Sequence, residues 1–121
     1  MSKLNIAVAG SSGRMGRSLL AAVMKDSALH LQVALEKDGS PYLKKDISAL
    51  ISIPSNVIIT DNFSTALPGS DVLIDFTQPE ATIKHLTVCR ANGVKMVIGT
   101  TGFSLEQKNM LKEASKDIAL V

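Results

Sequence analysis

Three glycines recur at a fixed step in Gly10-Ser11-Ser12-Gly13-Arg14-Met15-Gly16, between the apolar run Leu4 to Ala9 and the helix-forming stretch Ser18 to Met24. A strand-to-helix turn nearly free of side chains suits one kind of chemistry. It lets an anion reach backbone N–H groups at a helix N-terminus, where the macrodipole favours negative charge. For a dinucleotide, Gly10 permits the tight turn, Gly13 lets the pyrophosphate approach the backbone, and Gly16 lets the helix lie close to the sheet. The spacing is Gly-x-x-Gly-x-x-Gly, with Ser12 where the standard Gly-x-Gly-x-x-Gly has its middle glycine. Taken alone, such a turn serves equally as a connection with no ligand.

Glu36 ends the run Leu29 to Leu35 and follows Gly16 by 20 residues. In dinucleotide-binding folds an acid at that distance accepts from the adenosine ribose hydroxyls, which favours NADH. Lys37 beside it offers a cation to the 2′-phosphate of NADPH, so the pair predicts weak discrimination between the two cofactors. An isolated Glu-Lys pair at a strand end is otherwise a solvated surface pair. Two further runs, Val72-Leu73-Ile74-Asp75-Phe76-Thr77 and Met96-Val97-Ile98-Gly99-Thr100-Thr101-Gly102, also pass from apolar to small or hydroxylated residues. Ligands of doubly wound sheets bind beyond the carboxyl ends of the strands, which brings Phe76, Thr77, Gly99, Thr100 and Thr101 to the crevice of the glycine turn. Gly99 allows close approach of a nicotinamide ribose, and the two threonines offer hydroxyl and backbone donors. Asp75 fixes its loop by hydrogen bonds.

The elements that must position these residues alternate along the chain. Apolar strand-like runs at Leu4–Ala9, Leu29–Leu35, Val57–Thr60, Val72–Asp75 and Lys95–Ile98 are separated by helical stretches, of which Pro79–Asn92 and Ser104–Ser115 have apolar residues three or four apart. Near-continuous apolar strands between helices indicate a doubly wound parallel sheet, a Rossmann-type α/β domain covered on both faces. Thr77-Gln78-Pro79-Glu80 and Ser104-Leu105-Glu106-Gln107 both fit the pattern of a hydroxyl cap with an acid or amide three residues on. Asp38 to Asn56 reads as a long loop with one helical turn around Ile47 to Ile51. His30 lies at a strand start and His85 off the apolar stripe Ile83-Leu86-Cys89, so both are expected at the surface, with no catalytic residue in the chain. Asp117 to Val121 begins another β-prone run, which is expected of one half of a longer protein.

Together, GSSGRMGR at Gly10 to Arg17, Ala34-Leu35-Glu36-Lys37, IDFTQPE at Ile74 to Glu80 and VIGTTGF at Val97 to Phe103 carry a resemblance. The chain resembles the amino-terminal half of the dihydrodipicolinate reductase family, along its whole length. The resemblance implies an NADH- or NADPH-dependent reductase of diaminopimelate and lysine biosynthesis. It implies pyrophosphate held by Gly10, Ser11, Ser12, Gly13, Arg14 and Met15, the adenosine ribose by Glu36 and Lys37, and the nicotinamide side by Gly99, Thr100 and Thr101. Family members often carry arginine where Lys37 stands, and a lysine keeps the charge but loses the two-point fork. The family's catalytic His-Lys pair and its Ser-Gly-Thr grip on a dicarboxylate substrate belong to a carboxyl-terminal half with an HHxxKxDAPSGT-like signature, which nothing here matches. The implied homotetramer assembles through that half, which leaves this piece an inactive cofactor-binding unit and a possible monomer.

Composition bounds the remaining readings. At 121 residues the chain is one domain, residues 1–121. Thirteen basic against 11 acidic residues, a net +2, with 3% aromatics, exclude a nucleic-acid role. No apolar run approaches a membrane span and Met1 to Gly10 lacks a signal-peptide pattern, so the protein reads as cytoplasmic. The single cysteine, Cys89, permits no internal disulfide or cysteine-based metal cluster and is expected in the core. Two competing functions share the fold: a non-catalytic nucleotide sensor, and the coenzyme half of another dehydrogenase such as an aspartate-semialdehyde or sugar oxidoreductase.

Overall fold

The computed structural model describes residues 3–121. Five parallel strands form one sheet in the order β3-β2-β1-β4-β5: β1 Leu4–Ala9, β2 Leu29–Leu35, β3 Ile59–Thr60, β4 Val72–Asp75 and β5 Lys95–Ile98. The helices are α1 Arg14–Lys25, α2 Phe63–Ala66, α3 Pro79–Asn92 and α4 Leu105–Ala114, with a 3₁₀ turn at Ile47–Ala49. The chain winds outward one way through β2 and β3, then returns across β1 to β4 and β5. The point of reversal therefore lies between β1 and β4, where such sheets open a crevice.

Alternation along the central strand divides the core in two. Ile6 and Val8 of β1 face a cluster with Leu31, Ala34, Ile59 and the α1 residues Leu20 and Val23. Ala7 and Ala9 face the other side, with Leu35, Leu73, Met96, the α3 residues Leu86 and Cys89, and Ala114 of α4. Residues 6 to 9 are all buried, because a central parallel strand has helices or packed loops on both faces. Coverage is incomplete at β5, where Val97 remains 39% exposed.

The expected run Val57–Thr60 pairs with β2 only at Ile59 and Thr60. Along its other edge the run pairs with the preceding loop, Asp46 bridging Ile58: Ile47 N–H donates to Val57 C=O at 3.0 Å and Ile59 N–H to Lys45 C=O at 2.8 Å. The long loop thus covers the β3 edge with its own backbone, and its one helical turn falls where expected. Near the end of the sequence Leu120 makes an isolated parallel bridge with Met96 of β5.

The two expected caps diverge. Ser104 forms a complete capping box with Gln107 at the start of α4. Thr77 does not cap α3; Gln78 holds that position without a side-chain bond, and Pro79 starts the helix. The fixed φ of proline and its missing N–H suit the first helical position, so a side-chain cap is less needed there.

Candidate functional site

Strand register gathers the site. Ala9 pairs with Leu35 and with Asp75, Leu35 with Thr60, and Asp75 with Ile98, so all five strands end at one level. The next residues, Gly10, Glu36, Asp61, Phe76 and Gly99, follow along that carboxyl edge. Backbone bonds hold them: Gly10 N–H and Ser11 N–H reach Leu35 C=O, Phe76 N–H reaches Ala9 C=O, and Gly99 N–H reaches Asp75 C=O at 2.8 Å.

The three glycines of the turn do different work. Gly10 has φ +81°, and a Cβ there would overlap the Phe76 carbonyl. At Gly16 a Cβ would overlap the Gly10 carbonyl, so this glycine lets α1 lie against the turn. Gly13 is exposed at the N-cap of α1, and its missing Cβ would come no nearer than 3.3 Å to other atoms. Its bareness serves the space outside the turn. No side chain caps α1, which leaves the helix N-terminus to an outside anion. Arg14 and Met15 stand exposed on the first turn. Ser11 is fully buried with its hydroxyl donating to Val8 C=O at 3.0 Å and its N–H to Leu35 C=O at 3.2 Å, so it shapes the turn from inside.

Ser12 explains the altered spacing. Its N–H donates to Glu36 Oε2 at 3.0 Å and its hydroxyl to Oε1 at 2.6 Å; the Ser40 hydroxyl adds a third bond at 3.0 Å. A side chain where many such turns have glycine thus locks the acid at the end of β2 onto the turn. Arg17 extends the brace, with Nε on Ser12 C=O at 2.8 Å and Nη2 on the Tyr42 hydroxyl at 3.2 Å.

A crevice of about 560 Å³ opens at the reversal point, lined by Gly10, Glu36, Lys37, Asp61, Thr77 and Lys84 among others. Its lining also includes Phe63 and His85, neither of which was expected from the sequence. His85 is not a surface residue: it is 7% exposed, its Nδ1 lies 2.7 Å from Asp75 Oδ2, and Phe63 packs edge-on against it at 4.9 Å. The buried stripe of α3 is Thr82-His85-Leu86-Cys89, one position round from the stripe its apolar residues indicate. A polar residue joins a buried stripe when it finds a partner, and Asp75 supplies one. His30 is exposed, as expected.

Asp75 does fix its loop, through Thr77 Oγ1 at 2.5 Å. Thr100 is 8% exposed, and its hydroxyl accepts from Thr77 N–H at 3.1 Å and from Thr82 at 2.9 Å. Its hydroxyl is therefore committed inside the protein, and only its backbone faces the question of a ligand. Gly99 also has a local reason: a Cβ there would overlap the Phe76 ring. Thr101 and Gly102 remain exposed beyond it. Cys89 is a core residue, and burial, then the charge of Asp75, pushes its thiol up to about 12. No group of residues able to hold a metal ion occurs among the described residues.

The family model described as dihydrodipicolinate reductase, N-terminus, matches residues 4–121. The chain belongs to the dihydrodipicolinate reductase family. Among its relatives, the 4-hydroxy-tetrahydrodipicolinate reductase of Nitrosospira multiformis is 60% identical over 121 residues and that of Nitrosomonas europaea 50%, each match covering the whole chain and 45% of the relative. The chain thus spans somewhat under half the length of those proteins. A dipicolinate-bound dihydrodipicolinate reductase from Paenisporosarcina matches 94% of the chain and 42% of its own, at TM-score 0.71 and 28% identity. A homoserine dehydrogenase of S. aureus superposes at TM-score 0.76 over 99% of this chain and 32% of its own, but at 18% identity the likeness is one of fold. No helix among the described residues is long and apolar enough to cross a membrane.

Proposed function

We propose that residues 1–121 are the NADH- and NADPH-binding part of a 4-hydroxy-tetrahydrodipicolinate reductase. The observation that carries this reading is the bond between Ser12 and Glu36, which holds the turn before the uncapped start of α1 against the acid at the end of β2. Gly10 to Met15 form the turn that holds the pyrophosphate: the N–H groups of Gly10, Ser11, Ser12 and Gly13 are spent on Leu35, Glu36 and Gly10 and fix its shape, which leaves those of Arg14 and Met15 to face the anion. Glu36 and Lys37 hold the adenosine ribose, Phe76 and Thr77 form the wall between the two halves, and Gly99 to Thr101 border the nicotinamide. The bound cofactor supplies a hydride. The protein's part is to keep pyrophosphate against backbone donors and to fix the ribose by a braced carboxylate. Protonation of the product and the grip on the dicarboxylate substrate fall to the remaining half of the relatives' length, as does assembly into a homotetramer in the cytoplasm. By itself the 121-residue chain binds cofactor and does not turn over substrate.

Calorimetric titration of the folded chain with NADH and with NADPH tests the reading. Dissociation constants within about tenfold of each other, a difference of about 1.4 kcal/mol, are expected of the mixed Glu36-Lys37 pair. Binding of neither would overturn it.

A further inference from the structure

Five side chains at the carboxyl end of β4 form one buried hydrogen-bonded chain. It starts at His85, which lines the crevice shared with Glu36 and Lys37, and ends at Thr100, on the loop after β5. Between them lie Asp75, Thr77 and Thr82, and Asp75 and Thr82 are fully buried. As a carboxylate, Asp75 offers acceptors only, so it takes Nδ1–H of His85 at 2.7 Å and the Thr77 hydroxyl proton at 2.5 Å. The Thr77 oxygen lies 3.2 Å from that of Thr82, but Thr77 is tied onward by its backbone N–H, which donates to Thr100 Oγ1. Thr82 has one proton to give, and Thr100 Oγ1 is its nearer acceptor at 2.9 Å. Thr100 also receives the Thr77 N–H at 3.1 Å, while its own proton is directed at the Asp75 carbonyl, 3.5 Å away. The Asp75 carboxylate thus fixes the His85 ring and the Thr77 hydroxyl, while the Thr77 N–H and the Thr82 hydroxyl converge on the Thr100 oxygen.

We infer that His85 is a positioning residue: through Asp75 and the three threonines it holds the loop after β5 in register with the loop after β4. The inference rests on the coenzyme reading and extends it. The crevice side of the chain of bonds lies on the adenosine half of that site and Thr100 on the nicotinamide half, so the two halves are tied by buried side chains as well as by the cofactor. A satisfied buried network is stiff, because each group that loses its partner is left desolvated. Loss of the His85 donor frees Asp75 to turn, and the Thr77 and Thr100 hydroxyls reorient with it. The effect then appears at the nicotinamide end, away from the substituted side chain.

The decisive variant is Thr82→Val, which removes the hydroxyl that donates to Thr100, nearly preserves shape and is itself outside the crevice lining. The probes are NADH and ADP-ribose, which lacks the nicotinamide. Calorimetry on the Thr82→Val chain is expected to show NADH binding weakened about fivefold and ADP-ribose binding within roughly twofold of the unsubstituted chain. His85→Leu is expected to give the same selective loss, and His85→Asn, which keeps an amide donor toward Asp75, to restore NADH binding. Equal loss of both probes in either single variant, or no loss in Thr82→Val, would overturn the coupling while leaving the coenzyme reading intact. Failure of the unsubstituted chain to bind either probe would overturn both. Should His85→Leu fail to fold, Thr82→Val alone decides.

Discussion

Buried Cys89 makes a pH prediction at the residue scale. Its thiol is raised from 9.0 to about 12 by burial first and by the Asp75 charge second. Above pH 9 the unfolded chain gives up this proton while the folded chain retains it, so folding stability falls as pH rises through the window from 9 to 12. Denaturant melts across that window should show a steeper alkaline decline in the unsubstituted chain than in Cys89→Ala, whose lower starting stability reflects the lost packing. The glycines separate at the same scale. Gly10→Ala meets both φ +81° and the Phe76 carbonyl, and should cost more than about 1 kcal/mol in a melt. Gly13→Leu sits at the exposed N-cap with an ordinary φ of −68°, where its Cβ meets the Gly10 carbonyl at a tight 3.3 Å that a small shift relieves, so the chain should fold and lose cofactor binding; unchanged affinity would remove the pyrophosphate from this turn. Ser12 and Glu36 were both legible as site residues, yet their mutual bond was not, because it joins positions 24 apart in the chain.

At the scale of elements, local pattern was sufficient where local forces decide. Four strands and α3 have the bounds that their apolar runs indicate, and Ser104 caps α4 as its hydroxyl and Gln107 foretell. Ser104→Ala should lower stability by about 1 kcal/mol in thermal unfolding without altering cofactor affinity, since the cap lies outside the crevice. The misses fall where a tertiary partner overrides local preference. Thr77 has the composition of a cap, but Asp75 two residues earlier takes its proton. The Val57–Thr60 run pairs along one edge with the loop at Lys45 and Ile47, and only Ile59 and Thr60 pair with β2. The short helix Phe63–Ala66 leaves no periodic signal in four residues, although Phe63 lines the crevice.

Across the whole molecule, the sheet order decides what the site can be. Reversal between β1 and β4 puts Glu36 and Lys37, after β2, and the Gly99 loop, after β5, on opposite sides of the reversal point along one carboxyl edge. Lys37→Arg should raise NADPH affinity several-fold relative to NADH, because a guanidinium grips a phosphate at two points where an ammonium offers one; paired titrations with both cofactors read this ratio. The sequence by itself determined the parallel α/β class, the glycine turn, the acid at the end of β2 and the family, because each is written in contiguous residues whose spacing mirrors backbone geometry. Only the tertiary structure decided that His85 is buried against Asp75, that the Thr100 hydroxyl is spoken for and that Gly99 makes room for Phe76. Those facts depend on which side chains meet across α3, β4 and β5. A buried polar group is stable only through such a partner, and no pattern along α3 alone reveals it.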